Sequence, residues 1–284
     1  MTVVVRAVAA EELPVVSPLM DGVMQRAYGV ASFAAQIQWY AAVQPDALVV
    51  AEVDGVVVGT GCGIAYPDAG FGWVGVIATE PGFERRGIGG LVTERVSEAL
   101  AGHGCASVLD ASLAGGPLYE RMGFVDHGPT RVMSREPLGA GGIAPVAQAI
   151  TDADLAEVAA FDREAFGGDR SRLIELLVHG FPDRTAVRRD TDGSVTGFVI
   201  AQHGVIGPLA AADDESLDRL VSFAAALAWT RPPQICVPPE STHVATLVRL
   251  GWRTIRELRH MRRGIDVLPG RGEHYAGRVS LGIG

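Results

Sequence analysis

Two stretches of this chain repeat two others, and that duplication limits the fold more than composition does. Residues 75–101 align without a gap on 204–230, with Gly75-Val76-Ile77 matching Gly204-Val205-Ile206 and Leu91-Val92 matching Leu220-Val221. Residues 107–133 align in the same way on 235–261. There Arg121, Gly123, Arg131 and Met133 meet Arg249, Gly251, Arg259 and Met261, and Phe124 meets Trp252. The openings agree, Ala7 to Leu13 resembling Ala149 to Leu155, and a hairpin turn, Asp54-Gly55 or Asp192-Gly193, precedes each matched strand. Each half therefore reads as strand, helices, strand hairpin, strand, helix, strand, helix, strand. The run Gly139-Ala140-Gly141-Gly142 reads as a linker. It divides the 284 residues into a first domain at 1–138, a linker at 139–146 and a second domain with a tail at 147–284.

The copies differ most at one loop. Glu84-Arg85-Arg86-Gly87-Ile88-Gly89-Gly90 lies between a strand at 75–79 and a helix at about 88–101, whose apolar Ile88, Leu91, Val92, Val96 and Leu100 recur at helical spacing. Glycines there let an oxygen-rich ligand reach the backbone, the helix start offers free N–H groups, and Arg85 and Arg86 add positive charge. Glycines at a helix start also serve plain close packing. The second copy bears on that choice: it carries Asp213-Asp214-Glu215-Ser216-Leu217-Asp218, with no glycine and with acids where the arginines stood. If packing alone required the glycines, a copied helix should have kept one. The comparison favours phosphate binding in the first half and argues against it in the second.

The chain carries 24 basic residues against 33 acids, a formal charge of −9, and every basic residue is arginine. That balance argues against sequence-independent nucleic-acid binding. The most apolar region, 47–66, is broken by Glu52, Asp54 and glycines, which suits a strand hairpin better than a membrane span. The opening MTVVVRAVAAEELP reaches two glutamates before any cleavage-like site, so no signal peptide is expected. Cys62, Cys105 and Cys236 form no CxxC pair, giving neither a metal signature nor a disulfide framework, and a reducing cytoplasm is expected. The histidines are scattered without metal-ligand spacing.

These residues resemble the GCN5-related N-acetyltransferases, duplicated in tandem. The family's pyrophosphate loop, Gln/Arg-x-x-Gly-x-Gly/Ala, falls on Glu84 to Gly89, with Glu84 departing from the pattern. A second family motif stands intact as Leu118-Tyr119-Glu120-Arg121-Met122-Gly123-Phe124. The match covers roughly residues 3–135, and the second half resembles the family more weakly. There Phe161-Asp162 with Phe166-Gly167-Gly168-Asp169-Arg170 is similar to the C-terminal domains of a group of tandem acetyltransferases. The resemblance implies an α/β fold (mixed α+β) of two such domains, each a mostly antiparallel sheet flanked by helices. The second would be a degenerate copy completing the acceptor pocket or an interface.

Function follows from the same resemblance. It implies that acetyl-CoA is the acyl donor, that no metal takes part, and that a primary amine of a small molecule or peptide is the acceptor. A homodimer is also compatible with it. The amine attacks the thioester directly, and amides of Ile77, Ala78 and Thr79 polarise its carbonyl and pair with the pantetheine arm. Glu84, Arg85, Arg86, Gly87, Ile88, Gly89 and Gly90 hold the pyrophosphate. Tyr119 matches the residue that protonates the leaving thiolate, which suits a phenol of pKa about 10 facing a thiol of about 8.5. Its counterpart Leu247 cannot donate.

The general base is open. Trp73 occupies the position where relatives carry a strand glutamate. Glu80 and Asp110, near strand ends facing the cleft, are candidates, although Glu80 also reads as surface and Asp110 as a turn-fixing residue. The carboxylate at the end of the 271–284 tail is a third candidate by analogy with other tandem acetyltransferases. Trp39 and Tyr40, on a helix expected at 31–43, either grip the acceptor or pack in the core. The rival reading is a non-catalytic module that binds acetyl-CoA and acts through its second domain.

Overall fold

The computed structural model describes residues 2–28, 33–137 and 148–284. The first half runs β1 (Val3–Ala7), α1 (Leu13–Tyr28), α2 (Ala34–Val43), β2 (Leu48–Val53), β3 (Val56–Tyr66) and β4 (Phe71–Thr79). It continues with α3 (Ile88–Gly102), β5 (Ala106–Ala111), α4 (Gly116–Arg121) and β6 (Val125–Ser134). The second half runs α5 (Leu155–Phe166), α6 (Ser171–Gly180), β7 (Thr185–Arg189), β8 (Val195–Ala201), β9 (Ile206–Ala211) and α7 (Asp214–Ala226). It ends with β10 (Gln234–Val237), α8 (Val244–Arg249), β11 (Arg253–Arg263) and β12 (Tyr275–Gly277). The expected linker lies outside the described residues, as do the first residues expected for the second helix. Of the opening strand expected in the second half, one isolated bridge from Gln148 to Val187 is described.

Local chemistry accounts for these elements. Asp54 and Gly55 both take positive φ, 52° and 79°, so the β2–β3 hairpin closes on the Asp-Gly turn whose twist matches paired strands. Helix α3 lies close over β3 because Gly61 and Gly63 leave room for Val92, Val96 and Leu100. A Cβ at Gly61 would come within 2.5 Å of Val92 and 2.7 Å of Ile77. Three of these helix residues are fully buried.

The strands do not stay within their own halves. One sheet has the order β1-β2-β3-β4-β5-β11-β6-β10, a second β12-β9-β8-β7. Strand β11 from the second half pairs antiparallel with β5, His260 opposite Asp110, while β6 from the first half pairs with β10, Met133 opposite Ile235. The halves have thus exchanged strands β6 and β11. The sequence boundary divides the chain order, and the sheet crosses it.

The main core lies where α1 and α2 of the first half face α5 and α6 of the second. It includes Tyr40, Trp73, Phe166 and Phe198, each buried. Of the aromatic pair on α2, Tyr40 is fully buried and Trp39 meets Phe181 of the second half edge-on at 6.3 Å. Both pack between the halves.

Candidate active site

Strand β4 pairs in parallel with β5 only from Phe71 to Trp73, against Ala106 to Val108. Beyond Trp73 no strand among the described residues pairs with that edge of β4, and the two strands part to leave a cleft. On its other edge β4 carries a bulge: Thr60 pairs with Ala78 and Cys62 with Gly75, so Val76 and Ile77 together oppose Gly61. Val76 sits at φ +55°, a left-handed conformation that strains a β-branched residue by about 1–3 kcal/mol and persists only where its surroundings impose it. The bulge falls within the strand segment whose amides the family resemblance assigns to the thioester. The Tyr28 hydroxyl reaches Ile77 O across the cleft at 2.7 Å.

The loop after β4 turns through three residues of positive φ, Gly82, Arg85 and Gly87. Gly87 caps α3 in the left-handed region and no side chain satisfies the helix start. The first helical bond closes from Leu91 N to Gly87 O at 3.1 Å, which leaves the amides of the first turn directed outward. Packing does not demand the glycines at 89 and 90. A Cβ at Gly89 would sit 3.5 Å from Leu118 and 3.7 Å from Thr79, and one at Gly90 3.5 Å from Leu118, all ordinary contacts. Glu84 and Arg85 are exposed, and Arg86 holds Gly82 O at 2.9 Å.

Tyr119 is buried on α4, and Thr93 on the facing turn of α3 donates to Gly89 O at 2.7 Å. Burial raises the Tyr119 pKa above the ordinary phenol value, the proximity of Tyr28 adding to it, so the hydroxyl keeps its proton at neutral pH. Glu80 closes β4; one oxygen meets Arg26 of α1 at 2.5 Å, and the other is buried without a hydrogen-bond partner.

Asp110 stands apart from these groups. Both oxygens are committed: one accepts from Thr130 at 2.7 Å and faces His260 Nδ1 at 3.2 Å, the other pairs with Arg278. Burial opposes its ionisation, yet Arg278 and His260 outweigh this and hold the carboxyl below its ordinary range. It is the counter-ion of a buried cluster, with no oxygen turned to an incoming amine. Trp73 belongs to the same cluster, stacked on His260 at 5.6 Å with the Arg278 guanidinium 4.5 Å from its ring. Sequence reasoning gave Arg278 no role and His260 nothing beyond a structural or surface one. His260 left one signal, since it stands where the first copy has the buried Val132.

Among the described residues the second half has no equivalent cleft. Strand β9 carries a comparable bulge, Gly207 and Pro208 opposing Ile200, but Pro208 has no N–H to offer. Equating the two bulges offsets the strands by two residues more than the helices, so the first-half loop is two residues longer and the gap-free alignment fails there. Asp213 caps α7, accepting from Ser216 N at 2.7 Å. The space between β9 and β10 is filled by the chain itself. Strand β12 pairs with β9, Tyr275 opposite Ala210, and Arg278 N donates to Cys236 O of β10 at 2.9 Å.

The first half thus joins a parallel pair that parts after three residues, a strand bulge and a glycine-started helix with no side-chain cap. Family models agree on both halves. Residues 16–124 match the Acetyltransferase (GNAT) family and residues 158–276 an Acetyltransferase (GNAT) domain. The chain belongs to this family as a tandem GNAT protein. It is 25% identical over 187 residues to YitH, an uncharacterized N-acetyltransferase of Bacillus subtilis (strain 168); that match covers 63% of this chain and 65% of YitH. In structure it resembles a candidate acetyltransferase from Pyrococcus horikoshii, with a TM-score of 0.82 at 22% identity over 99% of this chain and 96% of that one. A tandem GNAT protein from the clavulanic acid biosynthesis pathway superimposes with a TM-score of 0.56 at 15% identity, covering 94% and 100% of the two chains. These structural likenesses concern the fold.

Proposed function

We propose that the first half transfers an acetyl group from acetyl-CoA to a primary amine of a small molecule or peptide. The observation that carries this reading is the contrast between the two clefts. One pairs an open strand edge and a strained bulge with a helix start that no side chain caps; the other has its edge covered by β12, a proline in its bulge and Asp213 on its helix start. Amides at 87–90, with Arg85 and Arg86, receive the pyrophosphate, and Glu84 stands at the rim. The edge of Ile77, Ala78 and Thr79 takes the pantetheine arm as an added strand. Tyr28 leaves Ile77 O when that arm enters.

In the reaction the amine nitrogen bonds to the thioester carbon, the oxyanion is held by bulge amides, and the C–S bond breaks as the carbonyl re-forms. Tyr119 gives its proton to the departing thiolate and is restored from solvent. Glu80, with one oxygen uncommitted, is the better acceptor for the ammonium proton; Asp110 is spent on Arg278 and His260. Cys62, Cys105 and Cys236 are free and buried, which supports a cytoplasmic site of action.

Release of free CoA from acetyl-CoA in the presence of a broad panel of primary amines tests the proposal. Binding of acetyl-CoA, seen as a raised melting temperature, without CoA release from any amine would favour a non-catalytic binding module instead.

A further inference from the structure

The second half opens with a segment that the chemistry above does not use, built around a buried charge. Asp162 and Arg170 are fully buried and joined by bonds of 2.5 and 2.9 Å. Desolvating such a pair is costly, so it is a poor source of stability by itself. The remaining contacts of Arg170 indicate its use. Its Nη1 donates to the Tyr275 hydroxyl at 2.9 Å and to Gly284 O at 3.0 Å, and its guanidinium lies 3.8 Å from the Phe166 ring centre. Both targets belong to residues 275–284. Gly168 completes the seat, because a Cβ there would press on Tyr66 at 2.9 Å.

Beyond β12 this segment enters the first half. Leu281 O accepts from Trp73 Nε1 at 3.2 Å, Ile283 O from the Tyr66 hydroxyl at 3.1 Å, Ser280 Oγ from Gln36 at 2.7 Å, and Gly282 O from Tyr40. Gly282 lies directly on Gly75, and a Cβ on it would stand 3.6 Å from Val76 N, beside the strained bulge. A run tied to four side chains of the first half, through three carbonyls and the Ser280 hydroxyl, cannot yield to a bulky neighbour.

We propose that Asp162 and Arg170 are positioning residues for the acyl acceptor. They lock residues 279–284 against β4, where the segment walls the acceptor side of the cleft and admits small unbranched primary amines in preference to branched ones. This rests on the acetyltransferase reading and deepens it: the second half has lost its own cofactor cleft and uses the space to anchor the strand that shapes the first.

Replacing one partner alone strands a buried charge, so the test replaces both together, Asp162→Leu with Arg170→Met, apolar groups of similar size. A second variant, Gly282→Val, displaces the segment from the opposite side, since its Cβ meets Gln36 at 2.7 Å and Tyr40 at 3.1 Å. Hydrogen exchange by mass spectrometry reports the segment, and steady-state kinetics with primary amines of increasing branching report the wall. In both variants amides at 278–284 should exchange about tenfold faster or more. KM for acetyl-CoA should stay within about twofold, and the preference for the unbranched amine should fall about tenfold. Exchange that is unchanged in the double variant overturns the clamp. Faster exchange with the amine preference intact overturns the wall. If the unaltered protein releases no CoA with any amine, the acetyltransferase reading fails and the acceptor role with it, while the exchange data still decide whether Asp162 and Arg170 hold the segment.

Discussion

Substituting Gly89 by alanine separates the two reasons a helix can begin on glycine, because they predict opposite signs. Gly89 lies in the first turn of α3 and is absent from the residues of positive φ. The new methyl would meet Leu118 at 3.5 Å and Thr79 at 3.7 Å, so the folded state accepts it without strain. Reduced freedom of the unfolded chain then stabilises the protein by about 0.4–1 kcal/mol. In a chain of this size that is a rise of roughly 1–3 °C in melting temperature. Affinity for acetyl-CoA should move the other way. The methyl occupies the approach of a phosphate oxygen to the backbone, and losing one charge-assisted hydrogen bond costs about 1.5–3 kcal/mol, a roughly ten- to hundredfold weaker Kd. Calorimetric titration with acetyl-CoA and thermal melts of the free protein read the two effects separately. As a control, Gly61→Ala should destabilise by about 1–3 kcal/mol, since its Cβ falls 2.5 Å from Val92. A Gly89→Ala protein that is more stable and binds acetyl-CoA as before would remove the phosphate from this loop.

For Tyr119→Phe, turnover should drop about a hundredfold with the Kd for acetyl-CoA nearly unchanged, because a proton donor is lost and packing is kept; equal turnover, measured by CoA release, would make Tyr119 a packing residue. Stability should fall as pH drops below about 6.5. Burial and then the charge of Arg278 push the His260 imidazole below its ordinary value, so the unfolded chain binds the proton first, and the contribution present above that pH is lost towards the lower folded value. Melting temperature measured from pH 7.5 to 5.5 should decline, and less steeply in His260→Gln; His243, also lowered by burial, leaves a residual slope. A steeper decline in the variant would contradict this. Residues 1–137 expressed alone should fail to fold as a monomer, because β5 loses β11 and β6 loses both its neighbours, β11 and β10, which leaves open edges. A monomeric, cooperatively melting fragment in sedimentation and calorimetry would show the strand exchange to be dispensable.

What the sequence revealed and what it hid both follow from the duplication. Local features were legible: the Asp54-Gly55 turn, the helix from Ile88, and a glycine loop standing against an acidic copy are each decided by residues within one or two turns of one another. The acidic composition of the second loop was legible too, and there Asp213 supplies the side chain that caps α7. Strand exchange was not legible, for a physical reason. Strands β6 and β11 are copies, Arg131 and Met133 answering Arg259 and Met261, so either offers β5 the same alternation of faces. A pattern that fits two partners equally cannot name one. The choice is made instead by groups with no local signature. His260 on β11 faces Asp110 on β5, and Arg278, well separated from both in sequence, neutralises that carboxylate beneath Trp73. Had β6 paired with β5 in place of β11, the buried Val132 of the first copy would stand where His260 now stands, and Asp110 would lose a hydrogen-bond partner in a dry interior. The same carboxylate that sequence reasoning offered as a base thus helps specify which half supplies the neighbouring strand. With Asp110 so committed, Glu80 is the one of the two candidate acids that keeps a buried oxygen with no hydrogen-bond partner among the described residues.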